Sequence, residues 1–396
     1  MYLTVTTPNT AGRKPVMVWF HGGGNSYGGA VDFDTHRLAV GGDVVVVTPN
    51  FRQGVFSGFA DPSLRDAGDF GLQDQQAALR WVQRNARKFG GDPDNVTIFG
   101  ESGGAFDVCG QLTSPGSTAL FQRAITQSGS CSTNWPDSGL KDGAPASSPW
   151  QSVQTAQSQG TALKARYSCS TVDCLRQVPT HDLVSGTDLS PITPLAYGTP
   201  TLPEHPATAL REGRFHRVPV LTGNTRDEGR LTGAFTNTPY DTLVSRAYGP
   251  NNGRVTAQYP TKDRLTWSTL LTDQVWTCNQ LKDATQLSHR TPVFHYEFAD
   301  RNAPTGFFPF PADVPGGAFH STELPYLFDV ATFPATLTRD QQRLADTMIR
   351  MWAGFARTGW APSSVSLAPR DIHPVDLAAE HNCGFWATVP APVPAP

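Results

Sequence analysis

The stretch Val96-Thr97-Ile98-Phe99-Gly100-Glu101-Ser102-Gly103-Gly104 decides the fold. Its first four residues read as a strand, and the residues after Gly104 can be helical. A chain that turns sharply from strand to helix at a serine holds that serine in a strained backbone conformation. Glycines two before and two after it let strand and helix approach, and the Ser102 hydroxyl is pushed out at the top of the turn. The first N–H groups of the helix then face whatever the hydroxyl attacks. Gly-x-Ser-x-Gly alone is a weak signal, so the reading depends on what surrounds it.

Outward from this point, short β-branched runs alternate with helical stretches. That is the pattern of an α/β fold with a mostly parallel central sheet flanked by helices. Strands are expected at Tyr2–Thr6, Val16–Phe20, Val44–Thr48, Val96–Phe99, Ala124–Gln127, Val218–Thr222 and Val293–Phe298. Leu72, Leu79, Val82, Ala86 and Phe89 have helical spacing and end at Gly90-Gly91; Leu344, Met348, Met351, Trp352 and Phe355 repeat it before Gly359. The region from about 132 to 206 is rich in Ser, Gly, Pro and Gln, and reads as an insertion that covers the functional end of the sheet. Residues 1–389 therefore read as one domain, and the alternating prolines of 390–396 as an extended or disordered tail.

Composition removes whole classes of function. With 16% charged residues and a net charge of −3 there is no basic field for nucleic acid. No apolar run approaches the ~20 residues that span a bilayer. Six cysteines are compatible with disulfides or with buried thiols. Cys169 and Cys174 are close together in a polar loop, and a disulfide is preferred there over a zinc half-site, since no second ligand pair accompanies them. No metal or cofactor is called for. The sequon Asn95-Val96-Thr97 overlaps a strand expected to be buried, which argues against glycosylation.

Acyl transfer needs a nucleophile, a base, a group that orients the base, and donors for an oxyanion. His21-Gly22-Gly23-Gly24 follows the strand Val16–Phe20, and bare glycine amides there can point into a site without a side chain in the way. Gly23, Gly24 and Gly103 are the expected donors. The orienting acid belongs at the end of a later strand, where Asp227 and Glu228 both qualify on chemistry. The base comes later still, among His289, His295, His320, His373 and His381; His320 stands out in the loop Gly316-Gly317-Ala318-Phe319-His320.

These blocks resemble the type-B carboxylesterases, the group that takes in the cholinesterases and the para-nitrobenzyl esterases. The matching residues include Pro15–Gly24, Asn50–Gly54, Asp69–Gln75, Phe89–Pro93, Gly100–Gly104, Gln127–Gly129, Asp227–Gly229, His320–Leu324 and Cys383–Trp386, in order along nearly the whole chain. The resemblance implies an α/β-hydrolase fold and a triad of Ser102, Glu228 and His320, with a second buried set at Glu101, Ser128 and Glu323. It also implies disulfides Cys169–Cys174 and Cys278–Cys383. It offers no partner for Cys109 or Cys131, which are expected as two buried thiols. Ser321 stands where the family commonly has glycine, and Gly103 where alanine is usual. The family's first strands have no counterpart ahead of Tyr2, which leaves Tyr2–Thr6 as an expected sheet edge.

The expected function is a serine carboxylic-ester hydrolase acting on small to medium esters through an acyl-enzyme. The alternative is an inactive, truncated or adhesion-type member of the same fold. Paired cysteines point to an exported, extracellular protein. A histidine of ordinary pKa predicts a rate that falls below about pH 6–7.

Overall fold

The computed structural model describes residues 2–186, 192–306 and 308–389, so the tail 390–396 lies outside the described residues. Nine strands form the central sheet: β1 (Leu3–Thr6), β2 (Lys14–Phe20), β3 (Val45–Pro49), β4 (Gly91–Glu101), β5 (Arg123–Gln127), β6 (Val220–Thr225), β7 (Val293–Phe298), β8 (Val365–Ala368) and β9 (Asp371–Pro374). Their spatial order is β1-β3-β2-β4-β5-β6-β7-β8-β9. Every pairing from β3 to β8 is parallel, and the two edge strands β1 and β9 run antiparallel to their neighbours. This is the expected α/β-hydrolase sheet, with Leu3–Thr6 at one edge.

The central stretch of β2, Val16–Phe20, is apolar at every position because both faces of the sheet are covered. In β2, Val16, Val18 and Phe20 pack into one core with Leu72, Leu79 and Val82 of α1 (Phe70–Asn85) and Phe106 and Leu112 of α2 (Gly103–Thr113). Met17 and Trp19 point the other way, toward Leu344, Met348, Trp352 and Phe355 of α4 (Arg339–Thr358). Val16, Met17, Val18, Trp19 and Phe20 are all fully buried, each worth about 1.5–3 kcal/mol of apolar burial. The ends of these helices follow sequence cues. A capping box joins Thr338 and Gln341 at the start of α4, and Gly359 ends it in the left-handed region at φ 74°. α1 stops earlier than its apolar spacing suggests, since Ala86–Phe89 tighten into a 3₁₀ turn before Gly90.

Two features depart from expectation. The strands β8 and β9 were not anticipated: each has four residues, they turn at Arg370 (φ 63°), and β9 is exposed throughout, so no apolar run announces them. Cys109 and Cys131 are not separate thiols but a disulfide, with Cα atoms 5.5 Å apart. Helix α2 follows β4 and the turn at Cys131 follows β5; the two strands are neighbours, which brings together cysteines 22 residues apart. Cys169–Cys174 and Cys278–Cys383 pair as the resemblance implied. Within 132–206, Trp150–Ser152 pairs in parallel with Leu195–Tyr197, and the longest helix is Val153–Arg166.

Candidate active site

The elbow between β4 and α2 puts Ser102 at φ 56° and ψ −119°, a region that a non-glycine residue enters only when its surroundings force it. Close packing supplies that force. A Cβ on Gly104 would collide with the Phe20 carbonyl, and one on Gly100 with the carbonyl of Gly104. The Ser102 amide is held by the Gln127 carbonyl at 3.0 Å, so the turn is also anchored to β5.

Four loops at the carboxyl ends of the parallel strands converge on this serine, the usual position of a site in such a sheet. The Ser102 hydroxyl donates to Nε2 of His320 across 2.8 Å, and His320 Nδ1 donates to Glu228 Oε2 across 2.6 Å. The second Glu228 oxygen accepts the Thr225 amide at 2.9 Å. Asp227, the other acid left open by the sequence, has a different task. Its carboxylate accepts from Arg230 (2.9 Å), from Arg301 (3.0 and 3.2 Å) and from the Ala318 amide (3.0 Å), which ties down the loop that carries His320. Burial works to raise the Asp227 pKa, but Arg230 and Arg301 more than offset it and hold the group below the usual carboxylate range.

The tri-glycine loop lies against the start of α2. Gly23 and Gly24 have φ of 101° and 60°, and among the described residues their amides donate no hydrogen bond. A Cβ on Gly103 would sit 2.7 Å from the Gly24 nitrogen, so the backbones of all three expected donors are close together. His21 is buried against Phe51, with ring centroids 4.6 Å apart; burial lowers its pKa and leaves it neutral.

Of the second buried set, Glu101 reaches the site. Its Oε1 is 3.3 Å from His320 Nε2 and accepts the Ser321 hydroxyl at 2.6 Å. Glu323 accepts from Gln127 at 3.3 Å through one oxygen. Its other oxygen and the Ser128 hydroxyl have no partner among the described residues. Desolvation alone would depress the His320 pKa, yet Glu101 and Glu228 overcome it and push it up to about 9. Burial raises both Glu101 and Glu323; repulsion from Glu228 adds to the first, and repulsion from Glu101 and Glu228 to the second.

The remaining histidine candidates lie elsewhere. His381 is buried between Asp273 (2.7 Å) and Glu297 (2.6 Å), and burial pushes His295 down to about 4. His373 pairs with Asp371 on the exposed edge. Sequence reasoning missed Trp276, whose ring packs on His320 with centroids 4.8 Å apart. It sits in a π-helical segment, Thr272–Thr277, between Arg264–Leu271 and α3 (Cys278–Ser288), and an irregularity of that kind leaves no periodic trace in the sequence. A cavity of about 1050 Å³ shares Ser26 with the tri-glycine loop and is lined by Phe56, Phe59, Leu163 and Thr193; the side chains of Ser102, Glu228 and His320 do not line it.

The chain is similar to known proteins in sequence and in fold. The family model described as "Carboxylesterase family" matches residues 1–260 and 243–371. The chain is 32% identical over 387 residues to para-nitrobenzyl esterase of Bacillus subtilis (strain 168), covering 91% of this chain and 74% of that protein. It is 30% identical over 418 residues to human Neuroligin-2, covering 93% of this chain but 48% of that one. A solved structure of a thermophilic PNB esterase matches it with a TM-score of 0.78 at 28% identity, covering 97% of this chain and 83% of the other.

Proposed function

Since the chain belongs to the carboxylesterase family and is a carboxylic ester hydrolase, we propose that Ser102, His320 and Glu228 are its catalytic triad and that it works through an acyl-enzyme. Ser102 Oγ adds to the ester carbonyl while its proton passes to His320 Nε2. Glu228 keeps the proton on Nδ1 and stabilises the imidazolium. The amides of Gly23, Gly24 and Gly103 take the oxyanion, and one such donor is typically worth ~2.7–4 kcal/mol. Collapse of the adduct expels the alcohol, which takes the proton from Nε2. Water then repeats the sequence and releases the acid.

The observation that carries this reading is the unbroken relay Ser102–His320–Glu228, at 2.8 and 2.6 Å. Labelling with a fluorophosphonate tests it. Stoichiometric modification of the native chain, lost in Ser102→Ala together with a fall in kcat on the order of a million-fold, supports the triad. The resemblance to Neuroligin-2 favours a second reading, an inactive binding-type member, and folded protein that takes no label would establish it.

The substrates are small to medium esters. Nitrophenyl esters of rising acyl length check this: turnover confined to long chains would make the protein a lipase instead. Residues 1–389 act as one domain, with the segment of about 132–206 as an insertion over the site. Three disulfides suit an oxidising compartment, so the protein is exported. Recovery from the native host's cytosol with reduced cysteines would contradict that.

A further inference from the structure

We propose that Asn25 and Asp107 are positioning residues that hold the oxyanion loop at a fixed separation from the nucleophile's helix. The proposal rests on the triad reading above. An oxyanion hole assembled from two segments works only if their spacing is held, because its donors must meet the oxyanion at 2.7–3.1 Å. Here one segment is the loop at Gly23 and Gly24, and the other is the first residue of α2, Gly103.

Most of the loop's hydrogen bonds lead away from that helix. Gly23 O accepts from Ser26 and Tyr27, Gly24 O from the Thr193 amide at 2.7 Å, and Asn25 O from the Gly54 amide at 2.6 Å. Among the described residues a single hydrogen bond joins the loop to α2: Asn25 Nδ2 donates to Asp107 Oδ1 at 3.0 Å. Both ends are well placed for the task. Asn25 directly follows Gly24 and is held in the left-handed region at φ 59°, which Asn tolerates better than most residues. Asp107 lies four residues after Gly103, on the same face of α2. The bond therefore spans the junction where the backbones of Gly24 and Gly103 meet.

Asp107 is itself immobilised. Its second oxygen accepts from Gln75 Nε2 at 2.6 Å, Gln75 Oε1 accepts from Gln111 Nε2 at 2.9 Å, and Gln111 also donates to the Leu72 carbonyl at 3.1 Å. Asn25 is 5% exposed, Asp107 1%, and both glutamines 0%. A carboxylate sunk this deep among neutral amides is costly, and an apolar residue would fill the space more cheaply. Burial pushes the Asp107 pKa up to about 7 against the bonds from Gln75 and Asn25; what the group adds is two oxygens that accept along defined directions.

The test uses Asn25→Gly, which keeps the positive φ, together with Asp107→Ala, which removes the acceptor, and the double variant. Each is titrated with fluorophosphonate so that rates are counted per active site. Expected are a fall in kcat of about tenfold or more with KM within about twofold, and an equal loss of affinity for a trifluoromethyl ketone, whose adduct is an oxyanion. The double variant should be no worse than the poorer single, since the same bond is removed in each case. A kcat per titrated site within twofold of the native value, or losses that multiply in the double variant, would overturn the tie while leaving the triad standing. Native protein that takes no label removes the triad reading, and this inference with it.

Discussion

Two carboxylates lie within ion-pair reach of the His320 imidazole, Glu228 at 2.6 Å and Glu101 at 3.3 Å. Their charge favours the protonated ring, so its pKa is raised from 6.5 to about 9. On the proposed triad, the base form of His320 therefore gains population as pH rises through 8 and 9, not through 6 and 7 as an ordinary histidine would. A pH profile of kcat/KM should show its acidic limb well above pH 7, and a plateau already reached at pH 7 would contradict the raised value. Ser321 offers a finer check. It sits at φ 73°, and its hydroxyl stabilises the ionised form of Glu101. Ser321→Gly relieves the backbone and removes that donor, so Glu101 becomes less ionised and His320 less basic. The acidic limb should move to lower pH. An unmoved limb would mean that the charge on Glu101 does not reach the base.

At the level of elements, the elbow and α4 make contrasting predictions. β4 and α2 can meet at Ser102 only because Gly104 has no side chain where the Phe20 carbonyl passes. Gly104→Ala should lower stability by about 3 kcal/mol or more, or prevent folding, as read by urea unfolding or by yield of folded protein. Thr338→Ala removes one half of the capping box of α4, far from Ser102 in the chain. It should cost about 1 kcal/mol in the same unfolding experiment and leave kcat unchanged. A loss of activity in that variant would show that α4 transmits strain to the site.

Across the whole molecule, Arg226, Asp227 and Glu228 serve three separate networks from one turn after β6. Glu228 orients His320, Asp227 clamps the histidine loop through Arg230 and Arg301, and Arg226 pairs with Glu297 and Glu380. Glu297 in turn holds His381, which also binds Asp273 and lies two residues from Cys383 of the Cys278–Cys383 disulfide. Burial disfavours the His381 cation, but Asp273 and Glu297 prevail and raise its pKa from 6.5 to about 9. Since the folded value is the higher one, the stabilisation is fully present below about pH 6.5 and is lost as pH rises through 9. Unfolding free energies measured at pH 6 and pH 10 should differ by about 3 kcal/mol more in the native chain than in His381→Gln. Equal pH dependence in the two would remove His381 from the account.

Much of this was legible in the linear chain. A glycine-spaced elbow after an apolar run, three glycines after another, and continuous β-branched strands are local demands of backbone geometry and burial, and they specify a doubly covered parallel sheet wherever they occur together. The choice of Glu228 over Asp227 was not local: it depends on which carboxylate faces the imidazole and which faces Arg230 and Arg301, residues that only folding brings near. The same holds for the Cys109–Cys131 bond, for the approach of Trp276 to His320 through a π-helical turn, and for the short strands β8 and β9, of which β9 is exposed and has no apolar run. Hydrophobic period and glycine position act between neighbours in sequence, whereas charge pairing and ring contact act between neighbours in space, and the second kind of neighbour exists only once the sheet has assembled.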